Sequence, residues 1–269
     1  NGYRLPPELP TLAQRLDDVG YRTVAVVAAK ALEADMGLDL GFDTYDDEMS
    51  IRLGPMYQDL AENVTDRALA AVDANAGDGP LLLWVHYYDP HGPYRAPGEW
   101  FGRFMQPGYT GPYADPEASV ALRSDLRNGT ADADDVDQIA ARYLDEVHYM
   151  DHHIGRLLQG LEARGVLDHA LVVATADHGE TLSERPSHAY SHGGGVDEGV
   201  LRIPLIITGH GVPLAAGRVV GAQEDMSGLA STVEALVGLT PTLGPDASFA
   251  HRVRPGPVWD ADAWPSRPT

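Results

Sequence analysis

The stretch Ala170–Glu180, ALVVATADHGE, constrains this chain more than any other. An apolar, β-branched run stops abruptly at Asp177-His178-Gly179-Glu180. Such a run, bounded by polar residues, predicts a buried strand of a parallel sheet. In open α/β sheets, ligands bind just beyond the carboxyl ends of the strands. A carboxylate and an imidazole therefore stand side by side where that architecture places chemistry, followed by a glycine that lets the chain turn. Asp with His suits a divalent metal. On these residues alone, an N-cap aspartate beside a surface histidine is the alternative.

The flanking sequence supplies the other parts of such a sheet. Pro10–Val19 predicts a helix, opened by Pro10 and Thr11, with Leu12 and Leu16 on one face and Gly20 at its end. Thr23–Ala29 and Pro80–Tyr87 (PLLLWVHY) are apolar runs of strand length. Gly37–Asp47 reads as a loop packed down by Phe42 and Tyr45. Tyr57–Ala76 has helical periodicity through Leu60, Val64, Ala68 and Val72. Asp134–Arg164 is the strongest helix, with Ile139, Tyr143, Val147, Met150, Ile154, Leu158 and Leu161 in one apolar stripe. Leu205–Thr208 reads as a further strand, and Ser227–Val237 as a last helix stopped by Gly238. Ala96–Asp132, rich in Gly, Pro and Asp, is an irregular excursion of the kind that often faces substrate. Helices alternating with buried strands predict an α/β fold, a mostly parallel sheet with helices on both faces in three αβα layers.

Charge and composition exclude several functions. The 269 residues carry 19 basic and 40 acidic side chains, a formal net charge of -21. Nucleic acid would be repelled. An anionic substrate is repelled at long range too, so an anion site here must be locally positive, most simply through metal ions. The chain has no cysteine, which excludes disulfides, thiolate metal sites and a thiol nucleophile within it. No apolar run is long enough to span a membrane.

Two predicted strands end in polar clusters, Tyr87–Tyr94 and Asp177–Glu180, and a third cluster, His188–Gly195, follows in a loop. Converging on one rim, they would supply Asp89, His91, Asp177, His178, His188 and His192, the residue types that a divalent-metal hydrolase needs. Each also has a plainer reading. Asp89 can cap the turn before Pro90. His91 can pack against Tyr94, and His86 within the strand reads as a hydrogen-bonded core residue. His188 and His192 are four residues apart, but Pro186 and the glycines argue against a helix there. His148 and His152 share that spacing on a real helix and read as helix surface, as Lys30 reads as a solvated lysine.

Taken in order, these segments resemble the sulfatase family of the alkaline-phosphatase superfamily. Pro10-Thr11-Leu12-Ala13 through Gly20-Tyr21-Arg22-Thr23 is similar to the family's helix–strand entry, and Gly41-Phe42-Asp43 to its GFD turn. Trp84 through Tyr94 (WVHYYDPHGPY) resembles the strand that leads to a substrate-site histidine. Tyr149-Met150-Asp151-His152-His153-Ile154-Gly155 resembles the Y-x-D-x-x-I-G helix segment, Thr175–Glu180 the metal-binding DHGE, and Leu201–Leu205 the R-x-P-L segment. The matches run over nearly the whole chain. They imply a sulfatase-like α/β domain over residues 1–245 with a peripheral Pro-rich tail over 246–269.

The resemblance also implies roles. Asp177 and His178 would ligate a divalent metal, calcium in typical sulfatases, with zinc or manganese as the alternative. His91 would contact the sulfate or the leaving oxygen, with Asp89 beside it. His192, with His188 as its rival, would stand near the second cationic or acid group on the substrate. The partner is then a small sulfated or phosphorylated molecule. The family's nucleophile, a formylglycine made within a C/S-x-P-x-R motif, lies upstream of the segment that begins like Asn1–Pro10, and this chain contains no such motif. The expectation is an N-terminally truncated site. Two alternatives stand beside it. One is a two-metal phosphodiesterase or phosphatase of the same superfamily, with Asp89, His91 and His192 around one metal and Asp177 and His178 around the other. The other is a non-catalytic homologue acting as a binding module. If the sulfatase reading holds, the 269-residue chain by itself has negligible esterase activity. Turnover of an aryl sulfate well above the buffer rate would contradict this.

Overall fold

The computed structural model describes residues 4–53, 56–115, 124–125, 128–182, 192 and 196–244, with only the backbone described at 51–53 and 56–58. Its central sheet is parallel, in the order β2-β1-β5. Strand β1 is Arg22–Val26, β2 is Thr44–Asp46 and β5 is Leu81–Val85. Strand β1 is in the middle, with Val24 opposite Thr44 on one side and Leu83 on the other. Thr23 through Ala28 are fully buried. The alternation of a strand then sorts its neighbours. On one face Val26, Leu81, Leu83 and Val85 pack into a single apolar cluster with two helices. On the other, Ala25 pairs with both Tyr45 and Trp84, and Phe42 stacks on Trp84 at 5.9 Å.

The two helices are α2, Ala61–Ala74, and α3, Ala133–Ala163. Val64, Ala68 and Val72 from α2 meet Leu157 and Leu161 from α3 over the sheet. Full burial of a valine or leucine side chain contributes about 1.5–3 kcal/mol. Arg156 with Asp66 (2.6 Å) and Arg164 with Asp73 (2.7 Å) clip the exposed sides of the pair. A first helix, α1 (Leu12–Asp17), packs on β1 and opens with a capping box between Thr11 and Gln14. Gly41, in the GFD turn, has φ +89, and a Cβ there would lie 2.2 Å from the Gln14 backbone nitrogen. The remaining elements are a short antiparallel hairpin of β3 (Ile51–Leu53) and β4 (Met56–Gln58), strand β6 (Ala170–Thr175), helix α4 (Glu198–Leu201), strand β7 (Leu205–His210) and helix α5 (Leu229–Leu236).

The α/β architecture with a parallel sheet expected from the sequence is the one observed, with three local differences. Residues 44–46, read as loop, form β2 beside β1, because Tyr45 and Phe42 belong to the aromatic face of the sheet. The helix read from residue 57 starts at Ala61, because residues 56–58 pair in the hairpin and Asp89 caps the helix's first turn. Strand β7 runs antiparallel to β6, with Val172 opposite Thr208. Among the described residues β6 pairs only with β7, and β5 only with β1. Both nevertheless pack on the core formed by α2 and α3: Leu83, Val85, Ala170 and Val172 touch the same cluster. Strand β5 is half-buried, and β6 is half-buried with Ala174 and Thr175 exposed, so β6 is not the buried parallel strand read from the sequence. The tail read at 246–269 lies outside the described residues.

Helix α3 departs furthest from its sequence reading. Its apolar stripe forms, but Asp135, Gln138, Arg142, Asp145 and Glu146 are buried as well. They face the irregular excursion that follows β5 and bind its backbone. Asp145 accepts from Gly102 N–H (2.7 Å) and Phe104 N–H (3.1 Å), and Gln138 from Gln106 N–H (3.3 Å). A segment without ladder partners has its amides satisfied by side chains of the helix beneath it. Glu146 faces the Asp89 carboxyl, and burial together with that neighbour pushes its acid up to about 9. It is a neutral acid at pH 7 and donates its proton to Asp89. In the unfolded chain a glutamate titrates near about 4.3. A folded value raised above the unfolded one means that the stabilisation is complete below about pH 4.3 and is lost as pH rises through about 9. Glu146→Gln keeps the hydrogen bonds and has no proton to lose. The melting temperature of the variant minus that of the wild type should therefore increase steadily between pH 5 and 9. A difference that stays flat would contradict a protonated Glu146.

Candidate active site

The first cluster follows β5, where the backbone stays tied to the sheet by His86 N–H donating to Val26 C=O (2.9 Å). The chain then turns through Asp89-Pro90-His91-Gly92-Pro93, with His91 N–H bonded to Tyr88 C=O (3.0 Å). The His91 ring lies against Tyr88 (4.4 Å between centroids), and its Nδ1 is 2.7 Å from Gly92 C=O. That bond places the proton on Nδ1 and leaves Nε2 with its lone pair. Burial pushes the His91 imidazole below its ordinary value, so it is neutral at pH 7.

The second cluster follows β6. Asp177 accepts from His178 N–H (2.9 Å) through one carboxylate oxygen, and the other lies 3.5 Å from His178 Nε2. His178 Nδ1 is 2.9 Å from Gly179 C=O, which again leaves Nε2 as the free lone pair. Gly179 is where backbone meets backbone. Its N–H donates to Val200 C=O (2.7 Å), and a Cβ would lie 2.1 Å from the Gly199 carbonyl oxygen. Glu180, with only 11 % of its side chain exposed, accepts from Tyr94 O–H (3.0 Å) and lies 3.4 Å from His192 Nδ1.

These clusters come together as the sequence reading expects. The His192 ring stacks on His178 at 4.1 Å and meets the edge of His91 at 5.0 Å. Three imidazoles and the exposed Asp177 carboxylate thus share the rim beyond β5 and β6. His86 is there too: burial pushes its imidazole down while the nearby Asp177 carboxylate pulls it back up. Its buried Nδ1 has no hydrogen-bond partner among the described residues. His188 lies outside the described residues.

Asp89 is a correction. The sequence places it beside His91 on the substrate, but its carboxyl is turned inward, 9 % of the residue being exposed. It accepts from Ala61 N–H at the start of α2 (2.8 Å) and receives the Glu146 proton. An amide at a helix start attracts a carboxylate strongly enough to hold it there. Glu180 and Tyr94 are the site residues that the sequence reading named without giving them a role. The signal for Glu180 was its place directly after Asp177-His178-Gly179. Lys30 opens a short 3-10 turn after β1 and lines an open cleft of about 850 Å³ with Asp47, Asp59, Asn63 and Arg67. None of the three site histidines lines that cleft.

The donor set fits part of a divalent-metal site. Metal-bound histidine typically gives its second N–H to a carbonyl or carboxylate, as His178 gives its own to Gly179. The adjoining Asp177 carboxylate supplies an oxygen donor. Among the described residues, no group of three His, Asp or Glu side chains is placed to hold a metal by itself.

A family model described as "Sulfatase" matches residues 3–242. The chain is 27% identical to the multifunctional alkaline phosphatase superfamily protein PehA of Trinickia caryophylli, over 66% of this chain and 38% of that protein. It is 25% identical to a choline-sulfatase of Rhizobium meliloti (strain 1021), over 78% of this chain and again 38% of that protein. Among solved structures, it superposes on the phosphonate monoester hydrolase SpPMH from Silicibacter pomeroyi with a TM-score of 0.65 at 22% identity, covering 88% of this chain and 60% of that one. The chain thus spans about two fifths of the length of these curated relatives.

Replacing Gly179 by alanine would force the Asp177–Glu180 turn away from Gly199. A cost of about 1–3 kcal/mol in stability is expected, as for other forced overpacking. A denaturation midpoint equal to that of the wild type would contradict the close approach.

Proposed function

Because the chain belongs to the sulfatase family, we propose that it carries part of the active site of a metal-dependent hydrolase of sulfate esters. The observation that supports this reading is the convergence of His91, His178 and His192 with Asp177 beyond the ends of β5 and β6. Asp177 and His178 would hold the metal, calcium by family resemblance. When bound, the metal supplies the positive charge that polarises the ester's non-bridging oxygens. His178 would serve through its Nε2 lone pair, oriented by the Gly179 carbonyl. His91 presents its Nε2 from a ring that burial keeps neutral, suited to accepting a hydrogen bond from substrate. His192, braced by Glu180, is the group to hand a proton to the leaving alcohol oxygen. No nucleophile is assigned to a residue of this chain.

A second reading has support of its own. PehA is named multifunctional, and the phosphonate monoester hydrolases of Silicibacter pomeroyi and Agrobacterium radiobacter share the fold, with TM-scores of 0.65 and 0.63. A phosphonate monoester or phosphodiester would use the same polarised oxygens and the same proton donor. Zinc or manganese would be the metal there.

The test is made on the whole protein that contains this chain, with an aryl sulfate, an aryl phosphonate monoester and an aryl phosphodiester as substrates. Aryl sulfate turnover should disappear on chelation and return with calcium. His178→Ala should lower kcat/KM about a hundredfold or more, with the melting profile retained. Preference for the phosphonate or diester, with zinc or manganese restoring activity, would favour the second reading. A folded, metal-replete protein that turns over none of the three would overturn both.

A further inference from the structure

The segment that carries His91 and Tyr94 is tied at both ends to one face of α3, and two buried side chains make the ties. Glu146, 4 % exposed, accepts from the Arg95 N–H through one oxygen. Its other oxygen has no N–H or O–H donor among the described residues and faces the Asp89 carboxyl, a contact that the proton on Glu146 closes. Asp89 in turn accepts from Ala61 N–H, which ties the same point to α2. Arg142, one turn earlier on α3 and fully buried, donates through Nε to Tyr94 C=O (2.7 Å) and through Nη1 to Asp115 C=O (3.3 Å). Asp89 and Arg95 flank His91 two residues before and four after, and Tyr94 stands between. From Tyr94 the ties reach the site itself: its hydroxyl binds Glu180, which braces His192.

We propose that Glu146, seconded by Arg142, is a positioning residue of the active site, holding the loop of His91 and Tyr94 against α3 without touching substrate. Other buried polar groups of α3, such as Asp145 and Gln138, serve the excursion beyond residue 101 and leave the site loop alone. Glu146 reaches both the beginning of the loop at Asp89 and its end at Arg95. Ring placement of this kind matters at the angstrom scale: a misplacement of about 1 Å in a reacting group can cost about a hundredfold in rate. The activity arm of this inference rests on the ester-hydrolase reading above; the ring-signal arm does not.

The experiment compares Glu146→Ala, Glu146→Gln and wild type in the whole protein. Gln keeps an acceptor for Arg95 N–H and a donor for Asp89, and Ala removes both. Glu146→Ala should lower kcat about tenfold or more while KM changes less than about threefold, and Glu146→Gln should stay within about threefold of wild type on both. Proton and nitrogen NMR of the His91 ring, assigned by its loss in His91→Asn, gives a readout independent of turnover. The His91 signals should move in Glu146→Ala and stay in Glu146→Gln. If the wild type turns over no ester, the hydrolase reading fails and the ring signals alone decide this one. If Glu146→Ala does not fold, Glu146→Asp, which withdraws the carboxyl by one methylene, takes its place. Unmoved His91 signals in the Ala or Asp variant, or a rate loss in Glu146→Gln as large as that of Ala, would overturn the proposal.

Discussion

The packing of β1 on the paired helices α2 and α3 is the constraint from which the remaining geometry follows. Val26 lies at the contact, fully buried against Val64, Ala68 and Leu157. Its carbonyl also receives the His86 N–H, so the core and the end of β5 are registered on one residue. The parallel pairing of β1 with β2 and β5 brings all three carboxyl ends to the same side. Arg67 on α2 reinforces that side through Asp46 and Val27 C=O (3.0 Å).

The second constraint is polar. The excursion after β5 has little secondary structure of its own, so its amides need partners. Helix α3 supplies them from inside, with Asp135, Gln138, Arg142, Asp145 and Glu146 on a face that is buried although it is not apolar. A buried charge must be paired or neutralised. Arg142 is paired with carbonyls and Glu146 is neutralised by its proton. The buried carboxyls of this face, Asp135, Asp145 and Glu146, each meet a donor: Asp135 the Tyr109 hydroxyl, Asp145 the Gly102 amide and Glu146 the Arg95 amide. The site loop is tied to this face, and its one histidine, His91, meets the His192 ring, which in turn stacks on His178.

Membership of the sulfatase family accounts for the order of the motifs along the chain. The fold is shared with phosphonate monoester hydrolases at 22% identity or below, where likeness of fold does not choose between sulfur and phosphorus. In the reading proposed above, that choice would fall to the metal and to the groups around the ester, with Asp177, His178, His91 and His192 as this chain's share.

Much was legible in local pattern. Periodicity placed α1, α2, α3 and α5 to within a few residues, and the apolar runs marked β1, β5, β6 and β7, because burial of one face imposes a repeat that a sequence records. That Asp177 and His178 stand beyond a strand end was legible, because polar residues directly after an apolar run fall there. The contacts of His91 and His192 come instead from longer loops whose path only the folded chain sets. What the sequence left open was direction. Asp89 and His91 are two residues apart, yet one turns inward to a helix start and the other outward to the site, since only the folded chain puts Ala61 N–H and Glu146 within reach of Asp89. Strand β2 was hidden for the same reason, its pairing being decided by β1. Glu146 read as one more charged position on a helix. Tertiary structure made it a buried neutral acid, because the groups that determine its protonation come from distant parts of the chain.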